Sequence, residues 1–125
     1  MNKPVSKRKF PRCGEIWLIK FEKLKESRKP YRPCLIISND EQNELDEWVV
    51  VAPLTTDDLE SIKLTEIFVQ NTPETGLAEA NKIQLNYPFT ADKALRLIQC
   101  LGKVNTETLI KARSAWEKCL WLKSN

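Results

Sequence analysis

Three apolar runs, Ile16–Ile19, Cys34–Ile37 and Val49–Ala52, dominate the first half of the chain, and each gives way to a polar or proline-marked segment. Residues 15–21 carry branched and aromatic side chains and predict a first strand. From Glu22 to Tyr31 the sequence becomes charged and predicts a loop. Pro30 and Pro33 drive Lys29 and Arg32 towards extended backbone. Cys34-Leu35-Ile36-Ile37 has no polar alternation, the pattern of a central strand buried on both faces. Ser38-Asn39-Asp40 then reads as a turn or helix start, with room for one helical turn over residues 41–46. Trp48 to Ala52 predicts another strand, stopped by Pro53, with polar loop from Thr55 to Ser61.

Further on the strands are shorter: Leu64 to Val69, Lys82 to Leu85, and Arg96 to Leu101 with Gly102 ending it. The turn Asn71 to Leu77 separates the first two of these. The final segment has a different period. Asn105 is a helix cap, Glu107 suits the first turn, and Leu109, Ala112, Trp116 and Leu120 recur at helical spacing. Many short strands and one amphipathic helix predict a mainly β (α+β) domain, a small barrel or sandwich with the C-terminal helix packed on it.

Composition narrows this picture. The chain has 125 residues, 42% apolar and 30% charged, which suits one compact domain. We divide it into a basic N-terminal arm, residues 1–13, and a single domain, residues 14–125. No apolar run nears the roughly 20 residues of a membrane span, and no apolar segment follows the basic arm to make a secretory signal. A cytoplasmic protein is expected. Its four cysteines are scattered without a C-x-x-C pair and there is no histidine, so neither a metal nor another cofactor is expected. Cys34, inside an apolar run, reads as a small core residue. The net charge of +3 permits an RNA partner without requiring one.

The absence of histidine also constrains the chemistry, because the usual acid–base side chain is missing. Phosphate-directed groups are present instead. Arg32 offers a planar fork that matches phosphate oxygens, and Thr55 a hydroxyl that can donate to the same group. Alone, an arginine before a proline reads as surface charge and a threonine after Pro-Leu as a strand-end hydroxyl. The order in which they occur changes that reading. Gly14-Glu15-Ile16-Trp17, then Arg32-Pro33-Cys34-Leu35-Ile36-Ile37-Ser38-Asn39-Asp40, then Val49-Val50-Val51-Ala52-Pro53-Leu54-Thr55-Thr56 resembles the MazF/PemK (CcdB-like) family of type II toxins. The likeness extends to Gly76-Leu77 and to Leu101-Gly102-Lys103-Val104-Asn105 before the last helix.

The resemblance implies an SH3-like, partly open β-barrel with a C-terminal helix, acting as a homodimer. It implies a sequence-specific endoribonuclease that cleaves single-stranded RNA (mRNA) by metal-independent 2′-OH attack and is neutralised by a cognate antitoxin. Arg32 and Thr55 match the family's catalytic arginine and threonine. Arg32 is assigned phosphate stabilisation first and acid–base work second, since guanidinium is a poor base. Lys25, Arg28, Lys29 and Tyr31 match the mobile loop over the RNA groove, and Ser38, Asn39 and Thr56 are further substrate-binding candidates. Glu15 reads as a structural hydrogen-bond acceptor.

One stretch departs from the family. Where members carry an acidic-glutamine-isoleucine-arginine-threonine run, this chain has Asn86-Tyr87-Pro88-Phe89-Thr90. Aromatic packing is the expectation for Tyr87 and Phe89, with base stacking as the other option. Two further readings stay open on sequence grounds. A CcdB-like inhibitor of a protein such as DNA gyrase would work through Trp116 to Trp121, and a degenerate member would bind RNA or antitoxin without cleaving.

Overall fold

The computed structural model describes residues 10–21 and 29–120. Most of the arm, Lys25 and Arg28 of the charged loop, and Trp121 lie outside the described residues. The elements run β1 (Glu15–Lys20), β2 (Tyr31–Ile36), α1 (Asp40–Leu45), β3 (Trp48–Thr55), β4 (Glu66–Val69), β5 (Asn81–Gln84), β6 (Phe89–Asp92), α2 (Lys93–Arg96), β7 (Leu97–Lys103) and α3 (Thr106–Glu117). The strands pair antiparallel in the order β4-β5-β3-β2-β1-β7, with β6 beside the first half of β3. The sheet does not close, so the partly open barrel and C-terminal helix expected from sequence are present.

Successive strand residues point to opposite faces, and here both faces are covered. One core gathers Ile16, Leu35, Ala52, Leu54, Ile83 and Leu85 under Ala112 and Ala115 of α3. The other gathers Ile19, Phe21, Cys34, Ile36, Val49, Val51 and Ala91. The unbroken Cys34-Leu35-Ile36 run follows directly, because its residues alternate between two buried layers. Cys34 is fully buried as expected, and burial pushes its thiol well above the ordinary range.

Four sequence expectations need correction. Pro53 does not stop β3, which continues to Thr55. Along one edge β3 pairs with β6 as far as Val51 and with β5 only from Leu54, so Pro53 sits where no neighbour on that edge requires its missing N–H. Gly102 does not end its strand; β7 runs through it to Lys103. Gly102 and Gly76 instead allow the turn at residues 72–76 to lie on β7. A Cβ on Gly76 would meet Leu101 O at 1.9 Å, and one on Gly102 would meet Glu74 O at 2.2 Å. Third, β6 and the short α2 were not foreseen in Phe89 to Arg96, where Pro88 and the polar residues masked a four-residue strand. Lastly, Leu120 lies beyond α3 and is exposed, while Ala115 completes the buried stripe with Ala112.

The capping expectations hold. Asn39 Oδ1 accepts from Gln42 N–H at 2.8 Å to start α1, and Asn105 Oδ1 accepts from Thr108 N–H at 2.8 Å to start α3. Among the described residues no helix is long and apolar enough to cross a membrane.

Candidate active site

Arg32 lies on β2, whose register against β3 pairs Cys34 with Pro53. Carried two residues further, that register sets Arg32 across from Thr55, on the same face of the sheet. The side chain bridges the strands there: Arg32 Nη2 donates to Leu54 O at 2.9 Å, the carbonyl of the Leu54–Thr55 peptide. Its guanidinium also lies over the Phe21 ring, 5.4 Å from the centroid, and Phe21 meets Phe89 edge to face at 5.1 Å. The fork is thereby steered by one strand and one ring, with donors left over for an anion.

Thr55 is half-buried at the end of β3. Its Oγ1 accepts from Asp57 N–H at 3.1 Å, which occupies a lone pair and leaves the hydroxyl proton to donate elsewhere. Thr56 follows on the loop, half-buried. The two motif residues, 23 positions apart in number, are thus neighbours across one strand pair.

Beside Arg32 opens a cleft of about 760 Å³, which Thr55 and Thr56 do not line, inside the range of roughly 300–1,000 Å³ usual for ligand sites. Arg32, Phe21 and Pro53 form its wall on the β2–β3 side. Trp48, Gln84, Tyr87, Phe89, Thr90, Asp92, Leu95 and Arg96 complete it. Trp48 is 46% exposed and Tyr87 56%, so two aromatic faces are presented to solvent at a cationic mouth. Tyr87 therefore departs from the packing expected of it, while Phe89 is half-buried against Phe21. Asp92 is engaged in capping α2, accepting from Ala94 N–H and Leu95 N–H at 2.9 and 3.0 Å.

The remaining candidates divide. The ends of the charged loop meet, Phe21 N–H donating to Pro30 O at 2.6 Å; Lys29 and Tyr31 are both exposed, and Tyr31, next to Arg32 on β2, points to the other face of the sheet. Ser38 and Asn39 are not brought to this site. Ser38 is buried and bonded to Asn43 and Val50, and Asn39 caps α1, at the opposite end of β2. Glu15 is the structural acceptor expected of it, taking bonds from Arg12 N–H and Trp17 Nε1–H at 2.9 and 2.8 Å.

Sequence reasoning missed Lys82 and Glu66. Lys82 pairs with Thr55 across β3–β5, and its Nζ lies 3.1 Å from Glu66 Oε1, both side chains almost wholly buried. Burial alone would push the Glu66 carboxyl up. Hydrogen bonds from Lys63 N–H, Lys82 and Gln84 instead hold it below the usual carboxylate range. The only signal for Lys82 was a lysine alternating with Ile83 and Leu85, a pattern that ordinarily marks the solvent face.

The sequence profile of one family, the PemK-like, MazF-like toxin of type II toxin-antitoxin system, matches residues 12–120. This chain belongs to that family. Among solved structures it is similar to an endoribonuclease from a mycobacterial species held in complex with its cognate antitoxin. That match has 24% identity and a TM-score of 0.72, covering 92% of this chain and 99% of the other. It is also similar to Mycobacterium tuberculosis toxin MazF-mt6, with 20% identity, a TM-score of 0.69, and coverage of 84% and 94%. The MazE–MazF structure from Deinococcus radiodurans matches with 16% identity, a TM-score of 0.69, and coverage of 89% and 95%. At these identities the likeness is one of fold. No curated protein matches the chain in sequence. The match to the family model from Arg12 to Leu120 takes in the Arg32 and Thr55 segments, the cleft and α3 together.

Proposed function

We propose that this toxin is a metal-independent endoribonuclease that cuts single-stranded RNA in the cytoplasm, with Arg32 and Thr55 at the scissile phosphate. The observation that carries the reading is Arg32 at the edge of an aromatic cleft, reaching across from β2 to the Leu54–Thr55 peptide of β3. In the reaction the ribose 2′-oxygen bonds to phosphorus as the bond to the 5′-oxygen breaks. The 2′-hydroxyl loses its proton and the departing 5′-oxygen gains one, leaving a 2′,3′-cyclic phosphate and a 5′-hydroxyl. Negative charge on the non-bridging oxygens is met by the spare N–H groups of Arg32 and by the Thr55 hydroxyl. Such preorganised donors are often the largest catalytic term.

The cleft supports binding of the adjoining nucleotide. Tyr87 and Trp48 offer π-faces for an unpaired base, and Gln84 offers an amide to its edge. Lys29, exposed at the end of the charged loop that leads into β2, supplies phosphate attraction. The similar mycobacterial endoribonuclease bound to its cognate antitoxin, and the MazE–MazF structure, agree with this reading. It carries with it a homodimer and a co-expressed antitoxin as partners. Incubating purified protein with a long unstructured RNA in EDTA tests it. Discrete cuts ending in 2′,3′-cyclic phosphate are expected; intact RNA, or inhibition of DNA supercoiling without cuts, overturns it.

A further inference from the structure

The loop that follows Thr55 is tied down by a single buried cation. Lys82 Nζ donates to Asp58 O at 3.0 Å and to Ser61 O at 3.1 Å while resting 3.1 Å from Glu66 Oε1. Glu66 Oε1 in turn accepts from Lys63 N–H at 2.9 Å. Between β3 and β4, one ion pair therefore anchors the chain at residues 58, 61 and 63. Asp58 is held with φ +52°, a left-handed backbone that a non-glycine residue rarely adopts.

The same lysine is the cross-strand partner of Thr55 on β5. Thr55 Oγ1 is oriented by Asp57 N–H, so the hydroxyl is aimed by a loop whose path Lys82 dictates. An ammonium and a carboxylate taken out of water are costly to keep, and replacing such a pair with apolar residues is often neutral or stabilising. This pair is retained next to the proposed reacting group, with its remaining hydrogen bonds directed at loop carbonyls and a loop N–H.

We propose that Lys82 and Glu66 are positioning residues for RNA cleavage, holding the loop after β3 so that the Thr55 hydroxyl meets the scissile phosphate. This rests on the endoribonuclease reading above. It does not require either side chain to touch RNA, and both lie below the surface.

Lys82→Met alone strands the Glu66 carboxylate, so the deciding variant is the double Lys82→Met/Glu66→Leu, which removes both charges and refills the space. The full chain, the single variant and the double variant are compared for Tm, for kcat and KM on one RNA, and for hydrogen exchange at residues 57–61. The expected result is a double variant with Tm near that of the parent, faster exchange in the loop, KM within about threefold and kcat lower by about 10- to 100-fold, the scale set by a misplacement of around 1 Å. If the parent cuts RNA and the double variant restores both Tm and kcat, the pair is merely structural and the inference is overturned. If the parent itself makes no cuts, the endoribonuclease reading fails first and takes this one with it.

Discussion

Replacing Arg32 with alanine removes two things at once, and the structure separates them. The first is structural: a charge-assisted bond from Nη2 to Leu54 O and a cation–π contact with Phe21. Hydrogen bonds from charged groups contribute about 1.5–3 kcal/mol and a partly exposed cation–π contact about 0.5–1 kcal/mol. Water can replace part of the bond at this half-exposed edge, so the net loss is about 2 kcal/mol. Spread over the entropy of unfolding a chain of this length, that lowers Tm by roughly 8 °C. A domain with about 5–15 kcal/mol of stability stays folded at 25 °C.

The second loss, on the proposed function, is catalytic. One preorganised donor to a developing oxyanion is worth about 10²–10³ in rate, and the guanidinium supplies a charge as well as several N–H groups. Arg32→Ala should therefore cut RNA at least about 10²-fold more slowly in single-turnover assays at 25 °C in EDTA, with circular dichroism showing the parent fold. Arg32→Lys keeps the charge and loses the planar fork, and should fall between the two. A folded Arg32→Ala protein that cleaves within about threefold of the parent rate would refute the assignment.

Other perturbations probe the rest of the site and its frame. Thr55→Val keeps the strand-favouring shape and deletes the hydroxyl, so it should lower kcat by about 10²-fold while Tm falls by no more than one neutral hydrogen bond, about 1 kcal/mol. Tyr87→Ala should raise KM by roughly tenfold with little change in kcat, as base–aromatic stacking is worth about 1–3 kcal/mol; an unchanged KM would remove Tyr87 from the RNA path. Gly76→Ala forces a Cβ onto Leu101 O at φ +69° and should destabilise by at least about 2 kcal/mol in urea titrations. Glu66 has its folded pKa lowered from the ordinary 4.5. Its contribution is thus complete above that value and lost as pH falls through the folded one. The stability gap between parent and Glu66→Gln should be constant near neutrality and close in acid, and a gap that widens in acid would contradict this.

The parts of this molecule legible from sequence are those encoded locally. The Cys34–Ile36 run announced a strand buried on both faces, and Asn39 and Asn105 announced helix starts, because alternation and capping are properties of a few adjacent residues. Arg32 and Thr55 were singled out by motif order, and the β2–β3 register, carried on from Cys34 and Pro53, sets them on facing strands. Ser38 was drawn into the same motif by adjacency, yet it lies towards the other end of β2 and is used up in bonds to Asn43 and Val50. β2 alone, six residues long, spans about 20 Å, so residues at the two ends of one contiguous motif are carried to different places.

The cleft and the Lys82–Glu66 pair were illegible for the opposite reason. Trp48, Gln84, Tyr87 and Arg96 come from separate elements and converge only after β6 folds against β3, an element hidden by Pro88 and short length. Lys82 alternates with apolar residues as a solvent-facing lysine would, and nothing local reports that residues 58–63 fold over it. The composition of the cleft also bears on how RNA binding would respond to salt. Tyr87 and Gln84 line it, and on the proposed reading they would hold RNA by stacking and edge hydrogen bonds, interactions that tolerate salt where ion pairs do not. Cleavage by this toxin should accordingly depend less on ionic strength than its net charge of +3 alone implies. Tyr87→Lys, which returns the contact to electrostatics, should steepen the fall of binding with salt, and a slope left unchanged would show that the ring carries no part of the RNA contact.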